Sequence, residues 1–182
     1  VLQSDTSLAN DYARKTRITE MKPTLILMRH AQAVDRMEAE DDFQRGLTQR
    51  GRDDTAAAAE ALTKLGATAD MALVSPSWRT NETYRGLIPA LGSPTLNDPM
   101  VLYHASTSML ERATLEALEQ SNNILLVGHN PGIGGFAHNL AAKAGQLNKL
   151  PHGYPTATVS VFTLDSPDLT SPRLQACYRP NH

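Results

Sequence analysis

The sequence of 182 residues has a single cysteine, Cys177, so no internal disulfide framework holds it together. No motif surrounds Cys177, which reads as a buried or incidental thiol. No apolar run reaches the ~18 residues needed to cross a bilayer. The start lacks the apolar stretch of a signal peptide, and Met21 is a candidate native start with an extension before it. A charge excess is missing too. The 17 Lys and Arg against 19 Asp and Glu leave a net charge of −2, which implies neither a nucleic-acid nor a membrane partner. The six histidines contain no His-x-x-x-His or His-x-His pair, which argues against a metal site, and no cofactor is implied. There is no internal repeat, and the alanine run 56–59 reads as helix. What remains is a chain of single-domain length, able to bury a sizeable core and expected in the reducing cytoplasm.

Three apolar runs break off into residues that carry chemistry. Thr24-Leu25-Ile26-Leu27-Met28 leads into Arg29-His30-Ala31. Met71-Ala72-Leu73-Val74 leads into Ser75-Pro76-Ser77-Trp78-Arg79, and Ile124-Leu125-Leu126-Val127 into Gly128-His129-Asn130-Pro131. Short apolar runs bounded this way read as buried strands of a parallel sheet. Open α/β sheets bind ligands just beyond the carboxyl ends of such strands. A histidine is a nucleophile or proton carrier near neutral pH, and an arginine clamps phosphate or carboxylate. Arg29, His30, Arg79 and His129 are therefore the set that can hold a tetrahedral dianion beside a nucleophile. Arg79 falls in the first turn of the following helix. A cation there opposes the helix dipole by a few tenths of a kcal/mol unless an anion is nearby. Trp78 reads as packing or pocket wall.

Between the runs, Thr48 is an N-cap for a helix to about Leu65, stopped by Gly66. Ala57, Ala58, Ala61, Leu62 and Leu65 form its expected core stripe. A second helix is expected over about 77–91. Residues 93–99 read as loop, Met100–Tyr103 as a short strand, about 107–120 as a helix, and Pro131 to about Lys143 as another. Residues 157–164 and 173–178 alternate as two strands joined by a turn at Asp165–Asp168. The order is that of an α/β protein with a largely parallel central sheet and an antiparallel C-terminal edge. Residues 1–22 read as an N-terminal arm, packed against the domain or against a second copy in a homodimer. Residues 23–182 read as one domain. The charged segment Gln32–Gly46 reads as a solvated loop, with Gln32 and Arg45 at the rim of the site as candidate substrate-binding residues.

Arg29-His30, then Ser75-Pro76-x-x-Arg79-x-x-x-Thr83, then Gly128-His129, with Leu47-Thr48-x-x-Gly51 at a helix start, resemble the histidine phosphatase superfamily. The short chain, Arg29-His30-Ala31 and Gly128-His129-Asn130-Pro131 are most similar to its SixA branch, the phosphohistidine phosphatases. The resemblance covers roughly residues 23–165. It departs at Gly46, where that branch usually has proline, and in the N-terminal arm. It implies the three-layer phosphoglycerate-mutase-like fold, with helices on both faces of the sheet. It further implies a phosphohistidine intermediate on His30, with Arg29, Arg79 and His129 binding the transferred phosphate. Larger members carry an acidic residue after the strand expected to end at Tyr103. Here that segment offers Tyr103 and His104, so His104 is the candidate acid. A missing carboxylate suits a phosphohistidine protein substrate, such as a histidine-phosphotransfer domain. A small phosphate ester remains the alternative, as does a phosphate-binding domain without turnover.

Overall fold

The computed structural model describes residues 22–181. The N-terminal arm, apart from Lys22, and its suggested part in a homodimer lie outside the described residues, as does His182. Six strands form one sheet in the order β3-β2-β4-β1-β5-β6. They are β1 (Thr24–Arg29), β2 (Met71–Val74), β3 (Thr95–Asn97), β4 (Asn123–Gly128), β5 (Val159–Leu164) and β6 (Pro172–Tyr178). β1 pairs parallel with β4, as do β2 with β4 and β2 with β3. β5 pairs antiparallel with both β1 and β6, so the antiparallel part begins beside the central strands.

The strand side chains alternate between two cores, as the pleat requires. Leu25, Leu27, Leu73, Ile124, Leu126 and Phe162 pack on one face with α3 (Thr107–Leu118) and α4 (Gly132–Lys143). Ile26, Met28, Val74, Leu125, Val127 and Val161 pack on the other with α1 (Gln49–Leu65) and α2 (Trp78–Leu91). The result is the expected three-layer α/β fold. It explains why β1 and β4 are apolar at nearly every position: both of their faces are covered.

The helix ends follow local chemistry. The Thr48 hydroxyl accepts from the Gly51 N–H at 2.9 Å, and Gly66 closes α1 in the left-handed region at φ 68°. A Cβ on Gly51 would run into the Gln32 carbonyl, so this glycine lets α1 approach the loop that leaves His30.

Two expected elements differ. Met100–Tyr103 is not a strand, since Met100–Leu102 is a 3₁₀ turn that Pro99 begins. The edge strand is β3, in the segment read as loop. Its three residues are all exposed, so no buried apolar run announced it, and Pro94 and Asp98-Pro99 confine it to one short triplet. On α1 the buried stripe is Gly51, Asp54, Thr55, Ala58 and Leu62, whereas Leu65 is exposed. Among the described residues, no helix is long and apolar enough to cross a membrane.

Candidate active site

The carboxyl ends of β1, β2 and β4 bring the four expected side chains together. His30 follows β1, and its Nδ1–H donates to the Ala31 carbonyl at 2.8 Å. That fixes the tautomer and leaves Nε2 with its lone pair. Ala31 is held in turn, because its N–H donates to the Thr83 hydroxyl at 3.1 Å and that hydroxyl donates to the Arg79 carbonyl at 2.8 Å. The last residue of the Ser-Pro-x-x-Arg-x-x-x-Thr pattern thus braces Ala31, the neighbour of His30. Burial lowers the His30 pKa to about 3, with the charges of Arg79, Arg29 and Arg45 acting the same way against the pull of the Ala31 carbonyl. His30 is therefore neutral at physiological pH, the form that attacks.

Arg29 donates from Nη1 to the Tyr154 carbonyl at 3.1 Å, while its buried Nε has no acceptor among the described residues. Asn130 fixes the loop that supplies this carbonyl. Its amide nitrogen donates to the carbonyls of Gly153 at 2.8 Å and Tyr154 at 3.2 Å, and its oxygen accepts the Gly134 N–H at 3.2 Å. The Tyr154 ring is buried, and its hydroxyl donates to the Leu27 carbonyl at 3.0 Å.

His129 follows β4, its ring 5.1 Å from that of His30. Its Nε2 lies 2.7 Å from the Ser75 hydroxyl, which is fully buried, and its Nδ1 lies 3.4 Å from Nη2 of Arg79. A guanidinium only donates, so Nδ1 accepts here and Nε2–H donates to Ser75. Burial first, then the nearby His30 and Arg79 charges, lower the His129 pKa to about 2. A phosphoryl oxygen at Nδ1 would require the other tautomer, and the Ser75 hydroxyl can turn to donate into Nε2.

Arg79 spends both terminal nitrogens on Asp42, at 2.6 Å to its backbone carbonyl and 3.0 Å to Oδ2. Oδ2 also accepts from the Tyr103 hydroxyl at 2.7 Å and His104 Nε2 at 3.3 Å, and Oδ1 from Arg45 Nη1 at 2.9 Å. Burial pushes the Asp42 pKa up, but the bonds from Tyr103 and Arg45, the Arg79 charge and the His104 bond outweigh it and hold the group ionised. The His104 ring lies 4.9 Å from that of His129 at the mouth of the site. Arg45 thus joins the site through Asp42 and also donates to the Val34 carbonyl. Gln32 sits beside the site, where its side-chain oxygen accepts the Thr48 hydroxyl at 2.8 Å.

Sequence reading missed Asp42, which it placed among the charges of a solvated loop, and did not assign Ser75 and Tyr103 a role. Nothing local marks Asp42, since Glu40 and Asp41 beside it are also acidic and only the fold brings Asp42 to Arg79. The arrangement can hold a tetrahedral anion between Arg29, Arg79 and His129, with the bare Nε2 of His30 beside it.

A sequence model of the histidine phosphatase superfamily (branch 1) matches residues 25–101. A structure from Agrobacterium tumefaciens, provisionally described as the phosphohistidine phosphatase SixA, superposes with a TM-score of 0.75 at 23% identity, covering 88% of this chain and 100% of that one. The protein histidine phosphatase SixA complexed with tungstate gives 0.69 at 21%, covering 85% and 95%. The mycobacterial glucosyl-3-phosphoglycerate phosphatase gives 0.59 at 17%, covering 84% and 96%. No curated protein matches the sequence. Residues 25–101 thus match the sequence pattern of the histidine phosphatase superfamily, and the described domain has the fold of these phosphatase structures.

Proposed function

We propose that this protein is a histidine phosphatase that removes phosphate from phosphohistidine carried by a protein, with His30 as nucleophile. The observation that carries the reading is the state of the site's carboxylate. Among the described residues, Asp42 is the one carboxylate that the side chains of Arg45, Arg79, Tyr103 and His104 bond, and it is held ionised. An ionised carboxylate cannot protonate an oxygen leaving group. A phosphohistidine needs no acid at the bond that breaks, because its proton sits on the opposite ring nitrogen, farther out of the pocket. His104, at the mouth and with a half-exposed side chain, is the candidate donor to that nitrogen.

In the first step the Nε2 lone pair of His30 forms the new P–N bond. The substrate P–N bond breaks, its electron pair stays on the leaving nitrogen, and a neutral imidazole departs with its distal proton. Because Nδ1–H stays on the Ala31 carbonyl, phosphorylated His30 is an imidazolium, a good leaving group when water attacks phosphorus in the second step. Arg29, Arg79 and His129 neutralise the equatorial oxygens, and each such donor is worth about a hundredfold in rate. A histidine-phosphotransfer domain in the cytoplasm is the partner class this chemistry suits, where Cys177 stays a thiol.

The test compares hydrolysis of a phosphohistidine protein and an aryl phosphate ester by wild type, His30→Ala and His104→Gln. The reading expects faster turnover of phosphohistidine, loss of both activities in His30→Ala, and a selective loss on phosphohistidine in His104→Gln. Faster ester turnover would move the assignment to a small-molecule phosphatase. Activity surviving in His30→Ala would remove the covalent mechanism, and wild type inert on both would leave a binding domain.

A further inference from the structure

Asp42 is an anion already seated on the phosphate-binding arginine. The motif places Arg79 in the first turn of α2, where a cation gains only by meeting negative charge. The charge it meets is the Asp42 carboxylate at 3.0 Å, and the backbone carbonyl of the same residue takes its other terminal nitrogen. The Arg79 side chain is left only 3% exposed. Arg45, Tyr103 and His104 complete the coordination of the carboxylate, so it collects the kind of donor set that a phosphoryl group requires. Two anions on one guanidinium repel each other, and the donors cannot serve both.

We infer that Asp42 is an internal counter-ion of the phosphate site, a specificity-determining residue that an incoming phosphoryl group must displace from Arg79. The inference rests on Arg79 as a phosphate clamp but not on which phosphoryl donor is used. It gives the site a bias. Free phosphate brings only its charge and must break the Asp42 ion pairs unaided, so it binds weakly and product leaves readily. A substrate presented by a partner brings further contacts that offset the lost pairs.

The displacement has a built-in reporter. Phe43, next to Asp42, accepts the Trp78 backbone N–H at 3.0 Å and sets its ring 5.1 Å from that of Tyr103. Trp78 is the protein's single tryptophan, half exposed beside Arg79. Movement of the Asp42 segment therefore changes the surroundings of one fluorophore.

The experiment titrates inorganic phosphate into full-length wild type, Asp42→Ala and Asp42→Asn by calorimetry, with Trp78 emission followed in parallel. A displaced counter-ion predicts phosphate binding about tenfold or more tighter in Asp42→Ala, and a gain in the same direction in Asp42→Asn. It also predicts a saturable emission change in wild type that shrinks in Asp42→Ala, whose segment is already released. Should Asp42→Ala not fold, Asp42→Asn, which keeps the shape of the side chain, carries the test. Unchanged or weaker phosphate binding in the variants would overturn the inference and make Asp42 a brace for Arg79. The readout is anion binding alone, so it stands or falls separately from the preference for phosphohistidine over ester.

Discussion

Replacing Ser75 with alanine removes one oxygen from the centre of the site and leaves every charged residue in place. The Ser75 hydroxyl is fully buried, 2.7 Å from Nε2 of His129, itself only 4% exposed. Without it, either neutral tautomer of His129 leaves Nε2 buried and unpartnered, at a cost of about 1–3 kcal/mol. Urea unfolding should show the midpoint falling with the slope unchanged, because the surface exposed on unfolding is the same. The effect on turnover has a separate origin. The free protein holds Nδ1 as an acceptor toward Arg79, whereas phosphate needs it as a donor, and the serine hydroxyl serves either state. Alanine serves neither, so the donor at Nδ1 is weakened. A full loss of such a donor costs roughly 3 kcal/mol, and kcat/KM should fall by about ten- to a hundredfold. A Ser75→Ala protein with the lowered midpoint but kcat/KM within twofold of wild type would refute the tautomer argument and leave Ser75 a packing residue.

Asn130→Ala should loosen the Tyr154 carbonyl and so the grip on Arg29, lowering kcat/KM at least tenfold, with steady-state kinetics as the check. Gly51→Ala should cost about 3 kcal/mol or more, because its Cβ meets the backbone carbonyl of Gln32, and thermal unfolding reads the loss. The histidine shifts predict acid lability. His30 and His129 have folded-state pKa values near 3 and 2, below the unfolded value of 6.5, so their contribution is full above pH 6.5 and is lost as pH falls toward those values. Unfolding free energies measured from pH 7 to 4 should decline, and less steeply in His30→Ala. The acid limb of kcat/KM should not report His30, which stays neutral across the same range.

Much of this architecture could be read from the chain because its causes are local. The runs at Leu25–Met28 and Ile124–Val127 are apolar at successive positions since both faces of their strands are covered, and each stops where the ligand-facing edge begins. Thr48 and Gly66 delimit α1 through one side-chain acceptor and one left-handed residue. Arg79 stood out as a cation in an unfavourable place. What could not be read depends on the return of a distant segment. Asp42 looks like its neighbours Asp41 and Glu40 until the loop folds back to Arg79 and Tyr103. β3 is a strand only because β2 offers it an edge, and its own side chains face solvent. Leu65 has the right period for the α1 stripe but is the last residue of the helix and is exposed.

The antiparallel strand beside β1 has a consequence for how the protein is made. Thr24 pairs with Asn123 on one side and Thr163 on the other, and the backbone around Arg29 and His30 is stitched to residues 157 and 158. Arg29, His30, Arg79 and His129 are all translated by residue 129, yet β1, which carries Arg29 and leads into His30, still has a bare edge at that point. During synthesis it is the first of the described strands to emerge and among the last to be closed on both sides. A chain halted before β5 would carry every reactive group and present an unpaired apolar strand to its neighbours, which favours aggregation over turnover.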